Sequence, residues 1–147
     1  MECNYPRIFN GYKCPCGLCM ACRINKRRMW THRMILESYM HSDNSFLTLT
    51  YDDEHLPPDG SVNPQTLQLF LKRLRQAISP VKIRFYAVGE YGDKLMRPHY
   101  HIALFGYSFP DRVLHGMSKG RPLFRSLLLE KCWTYGFASI GELTAES

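Results

Sequence analysis

The chain has 147 residues, 45% of them hydrophobic, 13% aromatic and 22% charged, a composition that fits one compact domain and argues against disorder. No apolar run approaches the roughly 18 residues of a membrane span, and the start MECNYPRIFN lacks the apolar core of a secretory signal. Nineteen Lys and Arg against thirteen Asp and Glu leave a formal charge of +6, the balance of a protein whose partner is a polyanion such as nucleic acid.

Residues 1–22 are rich in Cys, Gly and Pro without a sustained period, which predicts an irregular arm. Cys14, Cys16, Cys19 and Cys22 crowd into nine residues. Such spacing favours convergence on one metal ion over disulfides. Cys16, Cys19 and Cys22, with Cys3 as the fourth ligand, suit tetrahedral Zn²⁺, and Cys14 is the alternative to Cys3. An iron–sulfur cluster also accepts such a run, but the Cys-Pro that ends a ferredoxin motif is missing. From about Met20 to Met40 there is neither Pro nor Gly, which predicts a helix. It carries Arg23, Lys26, Arg27, Arg28 and Arg33, the best candidates for phosphate contacts.

Phe46 to Tyr51, FLTLTY, alternates and predicts a strand that stops at Asp52, Asp53 and the Pro57-Pro58-Asp59-Gly60 turn. Asn63 then Pro64 predicts a capped helix, and Leu67, Phe70, Leu71, Leu74 and Ile78 give it one apolar face until Pro80. Ile83 to Tyr91 and His99 to Gly106 predict two neighbouring strands. Leu123 to Tyr135 reads as a helix after a loop around Gly116 to Pro122, and Phe137 to Leu143 as a last strand. The sum is an α+β class, one mainly antiparallel sheet with packed helices and an N-terminal cysteine-rich arm.

One constellation carries chemistry. Residues two apart on a strand share a face, so His99 and His101 point to one spot, and Glu90, near the end of the preceding strand, reaches it if the two strands are neighbours. Two neutral imidazoles and a carboxylate suit a divalent ion with positions open to substrate oxygen. The plainer reading makes the histidines polar residues of an edge strand. His32, His41, His55 and His115 lack paired spacing and receive no role, and Cys132 beside Trp133 reads as core.

The string Arg97-Pro98-His99-Tyr100-His101 before an apolar strand resembles the central motif of HUH endonucleases, and FLTLTY resembles their first motif. The order CGLCMACR, FLTLTYDDEHLP, GEYGDKLMRPHYHIALFG and IGELTAES is similar to that of gokushovirus replication initiation proteins, from Cys16 onward. The resemblance implies an HUH endonuclease domain over residues 23–147 after a metal-binding arm over residues 1–22. It also implies a rolling-circle initiator in the cytoplasm of a bacterial host, with origin single-stranded DNA and the host replication machinery as partners. Mn²⁺ or Mg²⁺ on His99, His101 and Glu90 would then assist a tyrosine that nicks DNA and keeps a 5′-phosphotyrosyl bond. The family's tyrosine helix follows the last strand, so the nucleophile is expected beyond Ser147, and this span is expected to be deficient in nicking. Tyr86, Tyr100, Tyr107 and Tyr135 read as strand or core residues.

Two rival readings fit parts of the pattern. A non-catalytic zinc-dependent nucleic-acid-binding module needs only the cysteines and the basic helix. A mononuclear iron oxygenase shares the two-histidine, one-carboxylate set, but its usual scaffold is an all-β double sheet.

Overall fold

The alternation in NSFLTLTY sorts a strand, β3 (Asn44–Tyr51), into two faces. Ser45, Leu47, Leu49 and Tyr51 are buried, whereas Asn44, Phe46, Thr48 and Thr50 are half-buried. A computed structural model describes all 147 residues, Met1–Ser147, and divides them into two compact units, Met1–Tyr39 and Met40–Ser147.

The second unit is built on a six-stranded sheet. Its members are β3, β4 (Arg84–Tyr91), β5 (Pro98–Phe105), β6 (Val113–Ser118), β7 (Arg121–Arg125) and β8 (Gly136–Gly141). Their order is β4-β5-β3-β8-β7-β6, and every pairing is antiparallel. With the helices α2 (Pro64–Ala77) and α3 (Leu127–Cys132), this is the expected α+β architecture.

Helix α2 starts where Asn63 and Pro64 predict. The Asn63 side chain accepts from the Gln65 and Thr66 amides, satisfying donors that the first turn leaves open. Phe70, Leu71 and Leu74 are buried in one core with Leu47, Leu49, Tyr100, Ile102 and Leu104. The Tyr100 hydroxyl accepts from the Asn63 amide at 2.7 Å and donates to the Asn63 carbonyl at 3.0 Å, tying the start of α2 to β5. Trp133 and Cys132 are buried in the same core, and the indole N–H donates to the Thr50 carbonyl.

Two expectations need correction. The predicted helix Leu123–Tyr135 shrinks to Leu127–Cys132, because the supposed loop before it is a hairpin of β6 and β7. Lys119 (φ 50°) and Gly120 (φ 77°) form its two-residue turn, the left-handed pair that suits the twist of a tight hairpin. Ser126 then caps α3 by accepting from the Leu129 amide. The arm is likewise not wholly irregular. Strands β1 (Arg7–Phe9) and β2 (Tyr12–Cys14) pair around Asn10-Gly11, both residues left-handed. The first unit is completed by α1 (Met20–Tyr39), so by compactness the helix groups with the cysteine arm, although its motifs divide near residue 22. No helix is long and apolar enough to cross a membrane.

Gly136 opens β8 where it passes closest to β3. A Cβ there would lie 2.3 Å from the Thr50 carbonyl oxygen and 2.4 Å from the Asp52 amide nitrogen. Both obstacles are backbone, so no rotamer change relieves them. Gly136→Ala is expected to destabilise the fold by on the order of 3 kcal/mol, read as a lower urea midpoint at unchanged m-value.

Candidate metal centre

Strand β5 lies between β3 and β4, and the pairing register decides what meets His99 and His101. Glu90 of β4 and Thr50 of β3 are both opposite His99, while Val88 and Thr48 are opposite His101. Directly opposed residues share a face of a sheet, so Glu90 projects beside the two imidazoles. Its Oε2 lies 3.8 Å from His99 Nε2 and 3.6 Å from His101 Nε2. Each of the three residues offers one donor atom, and all three donors fall within 4.8 Å of one another. The tight closure of β4 onto β5 maintains this placement, with the Gly92 amide donating to the Arg97 carbonyl and the Met96 amide to the Gly92 carbonyl.

The imidazoles are oriented from behind. His99 Nδ1 lies 3.3 Å from the Arg97 carbonyl, an acceptor only, so Nδ1 is the donor there and Nε2 faces Glu90. His101 Nδ1 lies 3.2 Å from Thr48 Oγ1, within hydrogen-bond distance. Phe46 stacks on the His101 ring at 5.3 Å and 16°. Hydrogen bonds to the second ring nitrogen are what align histidines as metal ligands. Arg97 in turn joins the start of β5 to the end of β3, donating to the Tyr51 carbonyl and the Asp53 carboxylate. Sequence reasoning missed Thr48, Phe46 and the Arg97 carbonyl; the alternation of FLTLTY shows that Thr48 and Phe46 share a face, but not what they oppose.

Burial holds the His101 imidazole below its ordinary value, and His99 acts in the same direction, while the Glu90 carboxylate pulls it back up. The neutral form, the one able to ligate, is therefore favoured. Asp52, Asp53 and Glu54 form the expected turn, in which Asp52 accepts from the His55 amide and Asp53 pairs with Arg97.

In the first unit, Cys3, Cys16, Cys19 and Cys22 converge, and Cys14 lies outside the group. Cys16 and Cys22 Sγ are 3.9 Å apart and Cys19 and Cys3 Sγ 3.8 Å apart. A tetrahedral ion with sulfur at about 2.3 Å requires edges of about 3.8 Å, and these two separations match it. Amides of Cys19 and Leu18 donate to Cys16 Sγ, and the Cys16 amide donates to Cys3 Sγ. The amides of Cys22 and Asn4 bring the Cys19 thiol down to about 6. Cys22 is also drawn down by the Gly17 amide, but desolvation and the other three thiols outweigh this and push it up to about 12. Arg23, Lys26, Arg27, Arg28 and Arg33 are all exposed on α1. At about 3.6 residues per turn, Arg23, Lys26, Arg27 and Arg33 fall within roughly a third of the helix circumference and Arg28 outside it. The Arg33 guanidinium lies 5.3 Å over the Trp30 ring.

A groove of about 560 Å³ lies on the sheet face that carries His99 and His101. It is lined by Thr48, Thr50, Phe137 and Ser139 of the central strands, with His115, Arg125 and Glu130 at its side. No local pattern of residues announces it, because it depends on the β6–β7 hairpin, which reads as a loop.

Residues 44–147 match the model of the replication-associated protein ORF2 family. The chain is 36% identical over 141 residues to replication-associated protein VP4 of Bdellovibrio phage phiMH2K, covering 90% of this chain and 44% of that protein. It is 37% identical over 142 residues to replication-associated protein ORF2 of Spiroplasma virus 4, again covering 90% and 44%. Replication-associated protein ORF4 of Chlamydia phage 1 is 33% identical over 138 residues, covering 88% and 34%. The chain thus spans less than half the length of these relatives. No solved structure is significantly similar to it.

In the metal-free protein, the His101 ring is expected to titrate below 6.5, and Glu90→Gln to lower it further by removing the one favourable charge, as followed by imidazole NMR shifts. Because the folded value is depressed, the unfolded chain takes up the proton first. The His101 contribution to stability is therefore fully present above 6.5 and is lost as the pH falls from there toward the folded value.

Proposed function

The chain belongs to the replication-associated protein ORF2 family, and on that premise we propose that it is the metal-binding, DNA-binding part of a rolling-circle replication initiator that nicks single-stranded DNA. The observation that carries this reading is the convergence of the Glu90, His99 and His101 donor atoms on one sheet face, with the Nδ1 side of both imidazoles tied back. A divalent ion held there, Mn²⁺ or Mg²⁺, supplies Lewis-acid polarisation of a scissile phosphate.

The protein's own groups do the rest. His99 and His101 present their Nε2 atoms from an inner strand, and Glu90 adds a carboxylate oxygen. A tyrosine oxygen attacks phosphorus and loses its proton; the bond to the 3′ oxygen breaks, giving a 3′-OH and a 5′-phosphotyrosyl link. Tyr51 and Tyr100 are poor candidates for that attack. Both are buried with their hydroxyls 3.0 Å apart, and burial, then the Tyr100 hydrogen bond, raises the Tyr51 phenol above its ordinary value. Neither hydroxyl is assigned as the nucleophile; the relatives are more than twice as long as the stretch matched here, and the attacking tyrosine is assigned to their further part.

Domain roles follow the same reading. Zn²⁺ on Cys3, Cys16, Cys19 and Cys22 shapes the arm, and Arg23, Lys26, Arg27, Arg28 and Arg33 contact DNA phosphates. The protein acts in the cytoplasm of the bacterial host, at a phage origin and with the host replication machinery. The compact first unit, holding the cysteines and the basic helix, is what favours the rival zinc-dependent binder. The iron-oxygenase reading finds no support in a single α+β sheet whose relatives are replication-associated proteins.

Mn²⁺ titration followed by electron paramagnetic resonance separates the nuclease from the binder. Loss of Mn²⁺ binding in folded His99→Ala/His101→Ala is expected, with Thr48→Val weakening it about ten-fold; unchanged Mn²⁺ binding in the double variant favours the binder. A protein extended through the native sequence after residue 147 is expected to nick single-stranded DNA and form a covalent adduct. Replacing the added tyrosines by phenylalanine should abolish that adduct; cleavage without any adduct contradicts the tyrosine mechanism.

A further inference from the structure

Phe137 is 70% exposed, although β8, which carries it, is an inner strand between β3 and β7. Its neighbours Ala138 and Ile140 point into the core, so the exposed ring lies on the opposite face. That is the face of the candidate metal centre. Phe137 is opposite Thr50, and Thr50 is in turn opposite His99, so one row across the sheet reads Glu90, His99, Thr50, Phe137. Two strand spacings, about 10 Å, separate the backbone of His99 from that of Phe137.

The surroundings fit a nucleobase better than a second apolar surface. The ring borders the groove with the Thr50 and Ser139 hydroxyls and with the Arg125–Glu130 pair, whose Nε and Oε1 are 2.6 Å apart. An aromatic face beside hydrogen-bonding side chains offers a base a stacking platform and partners for its edge. The groove and the metal centre lie on one sheet face and are next to each other across β3, because Thr48 and Thr50 line the groove and are paired with His101 and His99.

We infer that Phe137 is a positioning residue on which a base of the bound DNA strand stacks, holding the neighbouring phosphate at Glu90, His99 and His101. This rests on the nuclease reading proposed above and adds a residue to it. The occupant is single-stranded DNA, whose unpaired bases offer their faces to an aromatic side chain without the cost of opening a duplex.

The test uses the 147-residue chain and a single-stranded oligonucleotide carrying 2-aminopurine at successive positions, with Mn²⁺ titrated in parallel. Phe137→Ala is expected to weaken DNA binding roughly ten-fold and to remove a 2-aminopurine quench that the parent protein shows. Phe137→Trp should retain both, and Phe137→Leu, apolar but without a π face, should behave like the alanine variant. Equal affinity and equal quenching in the parent and Phe137→Ala overturn the inference and leave the nuclease reading standing. Retained affinity in Phe137→Leu overturns stacking as the mechanism. Loss of Mn²⁺ binding in His99→Ala/His101→Ala with the Phe137 dependence intact supports the stacking site on its own, whereas absence of any single-strand binding by the parent protein removes both proposals.

Discussion

The register between β5 and its two neighbours is the constraint on which the site depends. Side chains alternate along a strand, so the pairing that puts Glu90 and Thr50 opposite His99 also sends Tyr100, Ile102 and Leu104 into the core. A slip of one residue would bury two imidazoles and expose the largest apolar side chains of β5. The hydrophobic effect thus fixes a polar site that it does not touch. The Tyr100 hydroxyl, bonded to the backbone of Asn63 on the core side, secures the same strand from beneath.

The two candidate metal sites differ in a way their donors explain. Four cysteines whose sulfurs all lie within 4.8 Å of one another, with amides aimed at them, can complete a tetrahedron, the pattern of a structural ion. The set of Glu90, His99 and His101 has three donors, which leaves coordination positions open on the exposed side of the sheet. Thiolates select soft or borderline metals, whereas two imidazoles and a carboxylate accept harder ions that bind phosphate oxygen. One chain thus offers a closed set of thiols and an open imidazole–carboxylate set, which suit metals of different softness.

Sequence made much of this legible, for local reasons. The period of FLTLTY, the Asn63-Pro64 cap and the apolar spacing of α2 are short-range signals, and the structure follows them closely. His99 and His101 share a face by strand geometry alone. Bringing Glu90 to them required only that consecutive strands pair. What escaped was non-local or masked. Leu123 and Phe124 read as helical beside the leucines of α3, but pairing with β6 and Ile140 makes them strand. The Asn10-Gly11 turn was present in the sequence and was overshadowed by the cysteines. Thr48 as a histidine partner and Phe137 as a groove residue depend on long-range register, which no single segment encodes.

Glu90 sits on β4, the outermost strand of the sheet, and its side chain is 55% exposed; the imidazoles belong to β5, bonded on both edges. Outer strands fray at lower free energy than inner ones. The anionic arm of the triad can thus swing away in thermal opening while the nitrogen pair keeps its place, which makes the carboxylate the separable member of the three.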